Sequence, residues 1–133
     1  MEEVLSFLTE NPTFYFATVD GDLPRVRPFG FVMKYEGRLY FSMGHHKEVY
    51  KQLLVNPHVE ICTTNKDNAW IRLRGKAVFD AREEVAEKVF ETMPELKNIY
   101  NEKTGFTLAV CYLEDAEAEI TDMTGGFKKI ALS

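Results

Sequence analysis

Arg25 and Arg27, alternate residues of one strand-like run, and Ser42, Gly44 and Lys47, which precede a short amphipathic segment, are the side chains best suited to holding an anion. Guanidinium forks grip phosphate oxygens bidentately and a lysine adds a compact charge. The start of a helix adds unpaired backbone N–H groups at the positive end of its dipole. Val49, Leu53 and Leu54 fit the apolar face of such a helix, and Asn56-Pro57 stops it. The helix is expected over about 46–55, with its first turn near His45 to Glu48. Arg25 and Arg27 share strand parity and should face one side, unless Pro28 marks a bulge that changes the register. Taken singly, each of these cations could equally be an ordinary solvated charge.

Other chemistries find less support. His45-His46 invites a metal reading, but adjacent imidazoles point in different directions and no Cys or carboxylate cluster completes a ligand set, so no metal site is expected. His46 is expected to touch the phosphate instead. Glu83-Glu84 and Glu114-Asp115 read as solvated helix and turn faces rather than acid–base pairs. Cys62 and Cys111 lie in apolar strand-like runs at a spacing unlike any metal motif, and they read as buried thiols. No serine or cysteine nucleophile arrangement is visible.

The elements that must position these residues follow from pattern. Val4, Leu5, Phe7 and Leu8 form an amphipathic opening helix stopped by Asn11-Pro12, and Thr13 to Val19 is a first strand. Asp20-Gly21-Asp22 is hairpin chemistry. Leu23 to Tyr35 then reads as one long strand interrupted by Pro28 and Gly30, followed by a turn at Glu36-Gly37 and a strand from Arg38 to Met43. His58 to Thr64 and Trp70 to Phe79 pair across the polar loop at 65–68. In the second of these, apolar Ile71, Leu73, Ala77 and Phe79 alternate with Trp70, Arg72, Arg74 and Lys76. A helix at 81–92, a helical turn from Pro94, and strands at Phe106 to Tyr112 and Ala118 to Thr121 complete the chain. The class is mainly β with small helices (α+β): a six- to seven-stranded antiparallel barrel, with an α+β sandwich as fallback, because sheet edges must be paired or covered.

The chain has 133 residues, enough for one domain. It carries 45% hydrophobic residues with ten Phe, six Tyr and one Trp, which excludes disorder. Sixteen basic against twenty-one acidic side chains give −5, unfavourable for binding nucleic acid or an anionic membrane. The acidic N-terminus lacks a signal-peptide pattern, and no run reaches the roughly 18 apolar residues of a membrane span. A cytoplasmic location is expected.

Arg25-Val26-Arg27-Pro28-Phe29, Leu39-Tyr40-Phe41-Ser42, Lys47, Leu53 with Asn56-Pro57, and Trp70-Ile71-Arg72-Leu73-Arg74-Gly75-Lys76-Ala77 stand in an order and spacing that resembles the pyridoxamine 5′-phosphate oxidase-like flavoproteins, whose fold is the FMN-binding split barrel. The resemblance spans roughly residues 5–122. It implies that Arg27, Ser42 and Lys47 hold the phosphate of FMN, and strand parity adds Arg25, and the place beside the helix start His46, to the same cofactor site. It also implies that Pro28, Phe29 and Phe41 offer apolar walls for the flavin ring. Trp70 takes a position that is polar in the family, where it would stack near the flavin or cover a dimer seam. A homodimer with flavin at the interface is implied as well. The C-terminal Met123 to Ile130 does not match the family's substrate signature, so vitamin B6 oxidation is not expected. The reaction expected is reduction of a small electrophile with electrons from a nicotinamide cofactor or another flavoprotein; nitroaromatic reduction, as in the related nitroimidazole reductase proteins, is one candidate. The alternatives are a non-catalytic electron carrier or FMN store, and a binder of another flat cofactor such as haem or a deazaflavin.

Overall fold

The computed structural model describes residues 1–132. Eight strands form one antiparallel sheet: β1 Phe14–Asp20, β2 Leu23–Phe29, β3 Met33–Tyr35, β4 Arg38–Gly44, β5 His58–Thr64, β6 Trp70–Phe79, β7 Leu108–Thr121 and β8 Phe127–Ala131. The helices are α1 Glu2–Glu10, α2 Glu48–Val55 and α3 Glu83–Thr92, with a 3₁₀ turn at Pro94–Asn98. The strand order is β2-β1-β5-β6-β7-β4-β3, with β8 added on β7. This is the mainly β, α+β antiparallel barrel that the pattern calls for and is consistent with the split barrel that the resemblance implies, with eight strands where six or seven are expected.

The consecutive strands β2 and β3 lie at opposite ends of this order. Only Gly30 to Val32 connects them, and four Cα steps span at most roughly 14 Å. The sheet must therefore curl until its two edges nearly meet. The single long strand expected over Leu23 to Tyr35 is thus two, divided where Pro28 and Gly30 interrupt the pattern. Both hairpins form as their turn residues require: Gly21 sits at φ 66, and Glu36 and Gly37 sit at φ 51 and 74, the left-handed geometry of a two-residue loop that matches strand twist.

The two last strands expected before and after residue 113 are one. β7 runs through Glu114 and Asp115, which read as a turn in the sequence, and absorbs the irregularity in a bulge. Its register against β6 shifts between Arg74 and Lys76, and Asp115 takes φ 53. A Cβ on Gly75 would stand 3.1 Å from the Glu114 carbonyl oxygen, so this crossing of strands favours glycine. β8, unforeseen, pairs Phe127–Ala131 with the distal half of β7. Its burial pattern carries almost no apolar face, which leaves no periodic signal to read.

The inward residues Phe14, Phe16, Leu39, Phe41, Met43, Ile61, Ile71 and Leu73 fill the barrel, closed by Val4 and Leu8 of α1 and by Val49 and Leu53 of α2. Leu54, expected on the buried face of α2, is 60% exposed; in an eight-residue helix the stripe narrows to the i, i+4 pair of Val49 and Leu53. A second cluster packs α3 through Val85 and Val89 onto Phe31, Met33, Tyr40 and Val110. Of the thiols, Cys111 is fully buried and its pKa is pushed up to about 12 by that burial, whereas Cys62 is only partly covered.

A polar clasp fixes α3 to the barrel. The buried Tyr40 hydroxyl donates to Asp80 Oδ2 at 2.9 Å, and Arg82 donates through Nη2 to the same oxygen at 2.9 Å and through Nε to Oδ1 at 3.0 Å. The Arg82 guanidinium first, with the Tyr40 hydroxyl and the Arg82 backbone N–H, holds the Asp80 carboxyl down at about 2. Because the folded value lies below that of the unfolded chain, ionised Asp80 contributes stability above roughly pH 4, and this is lost as pH falls toward 2. Asp80→Asn should therefore flatten the loss of stability between those pH values, as measured by urea unfolding at a series of fixed pH. An acid limb as steep as in the parent protein would assign the effect to other carboxylates.

Candidate functional site

β2 places its basic residues without the bulge that Pro28 could have introduced. The register against β1 is continuous from Phe14↔Phe29 to Asp20↔Leu23, so Arg25, Arg27 and Phe29 all stand opposite the inward residues Thr18, Phe16 and Phe14. β2 is an edge strand, which is where proline is tolerated. Pro28 itself points outward, beside Tyr15 in the register.

Arg27 is the best-held of the candidates. Its Nη1 donates to the Phe16 carbonyl at 3.1 Å and to Thr18 Oγ1 at 2.7 Å, and its Nη2 donates to Gln52 Oε1 at 2.8 Å. Gln52 belongs to α2, so Arg27 ties the edge strand to the helix that closes the barrel. Burial, and then the charge of Arg25, pull the Arg27 pKa below the ordinary guanidinium value. No carboxylate lies within ion-pair distance of Arg27 among the described residues. Arg25 instead meets the Asp20 carboxylate at 3.4 Å on the surface. A partly desolvated cation with no acid beside it is a natural partner for an anion supplied from outside.

Lys47 is the N-cap residue of α2 and is exposed, its own amide donating to the Gly44 carbonyl at 3.1 Å. The helix begins at Glu48, slightly later than expected. Four residues lie between Lys47 and Gln52, a rise of about 7 Å from one to the other, so Arg27 meets α2 about a turn and a half beyond Lys47. Ser42 stands on β4, five residues before Lys47. It shares a face of β4 with Tyr40, opposite the one that carries Phe41 and Met43 into the core, and no hydrogen bond joins it to Arg27 or Lys47 among the described residues.

The two histidines diverge as expected. His45 stacks on Tyr50 at 4.4 Å between ring centroids, and His46 stacks on Phe106 at 3.8 Å. A Cβ on Gly44 would stand 2.6 Å from His46 Cε1, so a side chain there would make the exposed His46 ring move. Phe29 is half-buried and stacks on Phe16 at 4.4 Å. Phe41 is fully buried, edge-on to Phe14 and Phe16, and its ring is core in this chain. Trp70 opens β6 opposite Thr64 and Thr121, half-buried on the outward face with Arg72 and Arg74. The structure thus joins Arg27 to Gln52 of α2, keeps Phe29 on the same face of β2 as Arg27, places Ser42 on β4 five residues before the Lys47 cap and His46 directly beside that cap, and leaves Pro28 and Trp70 toward the outer surface.

Two residues of this site were not among those the sequence singled out. Thr18 is buried and polar, following Phe14 and Phe16 on the inward face of β1, and Gln52 shares the face of α2 that carries Val49. Each is a polar residue at a position where the apolar period asks for a hydrophobe, and that exception was the available signal.

Comparison with known proteins agrees with this architecture. A family profile described as pyridoxamine 5′-phosphate oxidase matches residues 1–110. Among solved structures, a protein of Clostridium acetobutylicum described as a NimC/NimA family protein is 44% identical, with a TM-score of 0.92 over 99% of this chain and 92% of that one. A FAD-binding protein of Mesorhizobium loti shares the fold at 11% identity and a TM-score of 0.62, over 91% of this chain and 94% of that one. A heme binding protein of Mycobacterium smegmatis does so at 15% identity and 0.73, over 98% of this chain and 57% of that one. Among curated proteins, none matches the chain. Among the described residues no helix is long and apolar enough to cross a membrane.

Proposed function

The chain belongs to the pyridoxamine 5′-phosphate oxidase family, and on that premise we propose that it is a flavoprotein that holds FMN beside α2 and reduces a small electrophile, a nitroaromatic compound being the leading candidate. The observation that carries this reading is the Arg27 guanidinium, partly buried and without a carboxylate, bonded to Gln52 about a turn and a half into the helix capped by Lys47. A phosphomonoester brings the negative charge that this donor set lacks, and the residues present fit it. Phe29 offers an apolar surface nearby. The edge strand β2 leaves one row of backbone N–H and C=O groups unpaired, which suits the polar rim of a flavin ring.

FMN, when bound, supplies the electron transfer; the protein supplies position and electrostatics. Arg27 and Lys47 neutralise and orient the phosphate, and α2 keeps Arg27 aimed. The reading extends to a homodimer with flavin at the interface, supported by the exposed apolar residues Tyr15 and Val26, the latter 66% exposed, beside Pro28 on the outer face of β1 and β2. Electrons would come from a nicotinamide cofactor or another flavoprotein.

The test is the absorption spectrum of the purified protein, followed by titration with FMN. Paired flavin bands in the near-ultraviolet and blue, or saturable uptake of added FMN at micromolar concentration, are expected. A folded, colourless protein that takes up no FMN, or one with an intense Soret band, overturns the reading.

A further inference from the structure

We propose that Gln52, acting with Thr18, is the positioning residue that presets one edge of Arg27 for a terminal phosphate, and so decides that the site prefers a phosphorylated flavin over its unphosphorylated form. This inference rests on the FMN reading above and names the device within it.

Arginine has five N–H donors and no acceptor. Both N–H groups of Nη1 are occupied, one by the Phe16 carbonyl and one by Thr18 Oγ1. One N–H of Nη2 is occupied by Gln52 Oε1. Thr18 Oγ1 in turn donates its proton to the same Gln52 oxygen at 2.6 Å, so the two acceptors lie side by side across the end of the guanidinium, one on each terminal nitrogen. The end-on fork is therefore filled. What remains are the Nε–H and the outer N–H of Nη2, which point in parallel from the other edge of the plane. That edge is the second fork able to hold two oxygens of one phosphate, and no acceptor among the described residues occupies it.

The amide orientation of Gln52 is forced by the same count. Both neighbours donate, so the oxygen must face them and the amide nitrogen must face away. Gln52 brings an acceptor without a charge. A carboxylate there would hold Arg27 equally well, but it would cancel the charge that an incoming phosphate needs. A neutral acceptor at this position fits a site that positions a cation for an external anion.

The experiment compares the affinity of the protein for FMN and for riboflavin, which differ only in the phosphate. Gln52→Met keeps the length of the side chain and removes the acceptor; it should weaken FMN binding roughly tenfold while riboflavin affinity holds. Gln52→Glu should weaken FMN more strongly again, with no loss of thermal stability, because the new carboxylate pairs with Arg27. Thr18→Val tests the same preset from the other acceptor and should act like Gln52→Met. If the folded Gln52→Met and Thr18→Val proteins keep the parent ratio of FMN to riboflavin affinity, the inference is overturned while the flavin reading stands. A parent protein that binds FMN and riboflavin equally overturns the phosphate reading itself.

Discussion

Replacing Arg27 and Lys47 together by alanine should weaken FMN binding by roughly 3–6 kcal/mol, about two to four decades in Kd, since each hydrogen bond to a charged group contributes roughly 1.5–3 kcal/mol. The two changes are not equivalent. Lys47 is exposed at the helix N-cap, so its loss removes a screened point charge and should cost least in high salt. Arg27 is partly buried, and its loss also strands the Phe16 carbonyl and the Thr18 and Gln52 oxygens that it now satisfies. A modest loss of thermal stability should therefore accompany Arg27→Ala and not Lys47→Ala. Arg27→Lys separates charge from shape: it restores a cation but not the two-oxygen edge, and should recover only part of the affinity. Fluorescence titration of the folded variants decides the matter, and an affinity equal to that of the parent protein in the double variant would place the phosphate elsewhere.

Much of this arrangement was legible because the period of the side chains follows directly from backbone geometry. The alternation of Ile71, Leu73 and Ala77 on β6 located the core face, and their burial agrees. The parity of Arg25 and Arg27 was equally direct, and an unbroken register preserved it. The failures share a cause. Asp115 looked like a turn because a left-handed residue within a strand depends on the facing Gly75, a partner forty positions away. β8 escaped because its stability comes from pairing with β7 rather than from an apolar stripe. Ser42 is read with Lys47 from its place just before α2 and from the resemblance, and strand alternation puts it on the opposite face of β4 from Phe41. Thr18 and Gln52 were passed over because a search for charge does not stop at neutral side chains, although a polar residue at an inward position must find partners there.

Phe41 separates the two roles an aromatic residue can have in such a barrel, wall of a cofactor site or part of the core. Its side chain is fully buried, with ring centroids 5.8 Å from Phe14 and 5.9 Å from Phe16 in edge-on contact. Phe41→Ala should cost about 3–5 kcal/mol, the loss expected when a core aromatic leaves a cavity. Against the roughly 5–15 kcal/mol that holds a domain together, this is a large share. At the entropy of unfolding usual for this size it lowers Tm by roughly 10–20 °C, readable by calorimetry. Phe41→Leu fills most of the space and should keep all but about 1.5 kcal/mol. The discriminating measurement is the FMN affinity of the folded leucine variant. A core role predicts affinity within about twofold of the parent protein, because the half-buried Phe29, backed at 4.4 Å by the buried Phe16, still presents the same surface beside Arg27. A leucine variant that melts near the parent temperature yet loses flavin would show instead that the Phe41 ring reaches the cofactor, which would require the barrel to open along β4 when flavin binds.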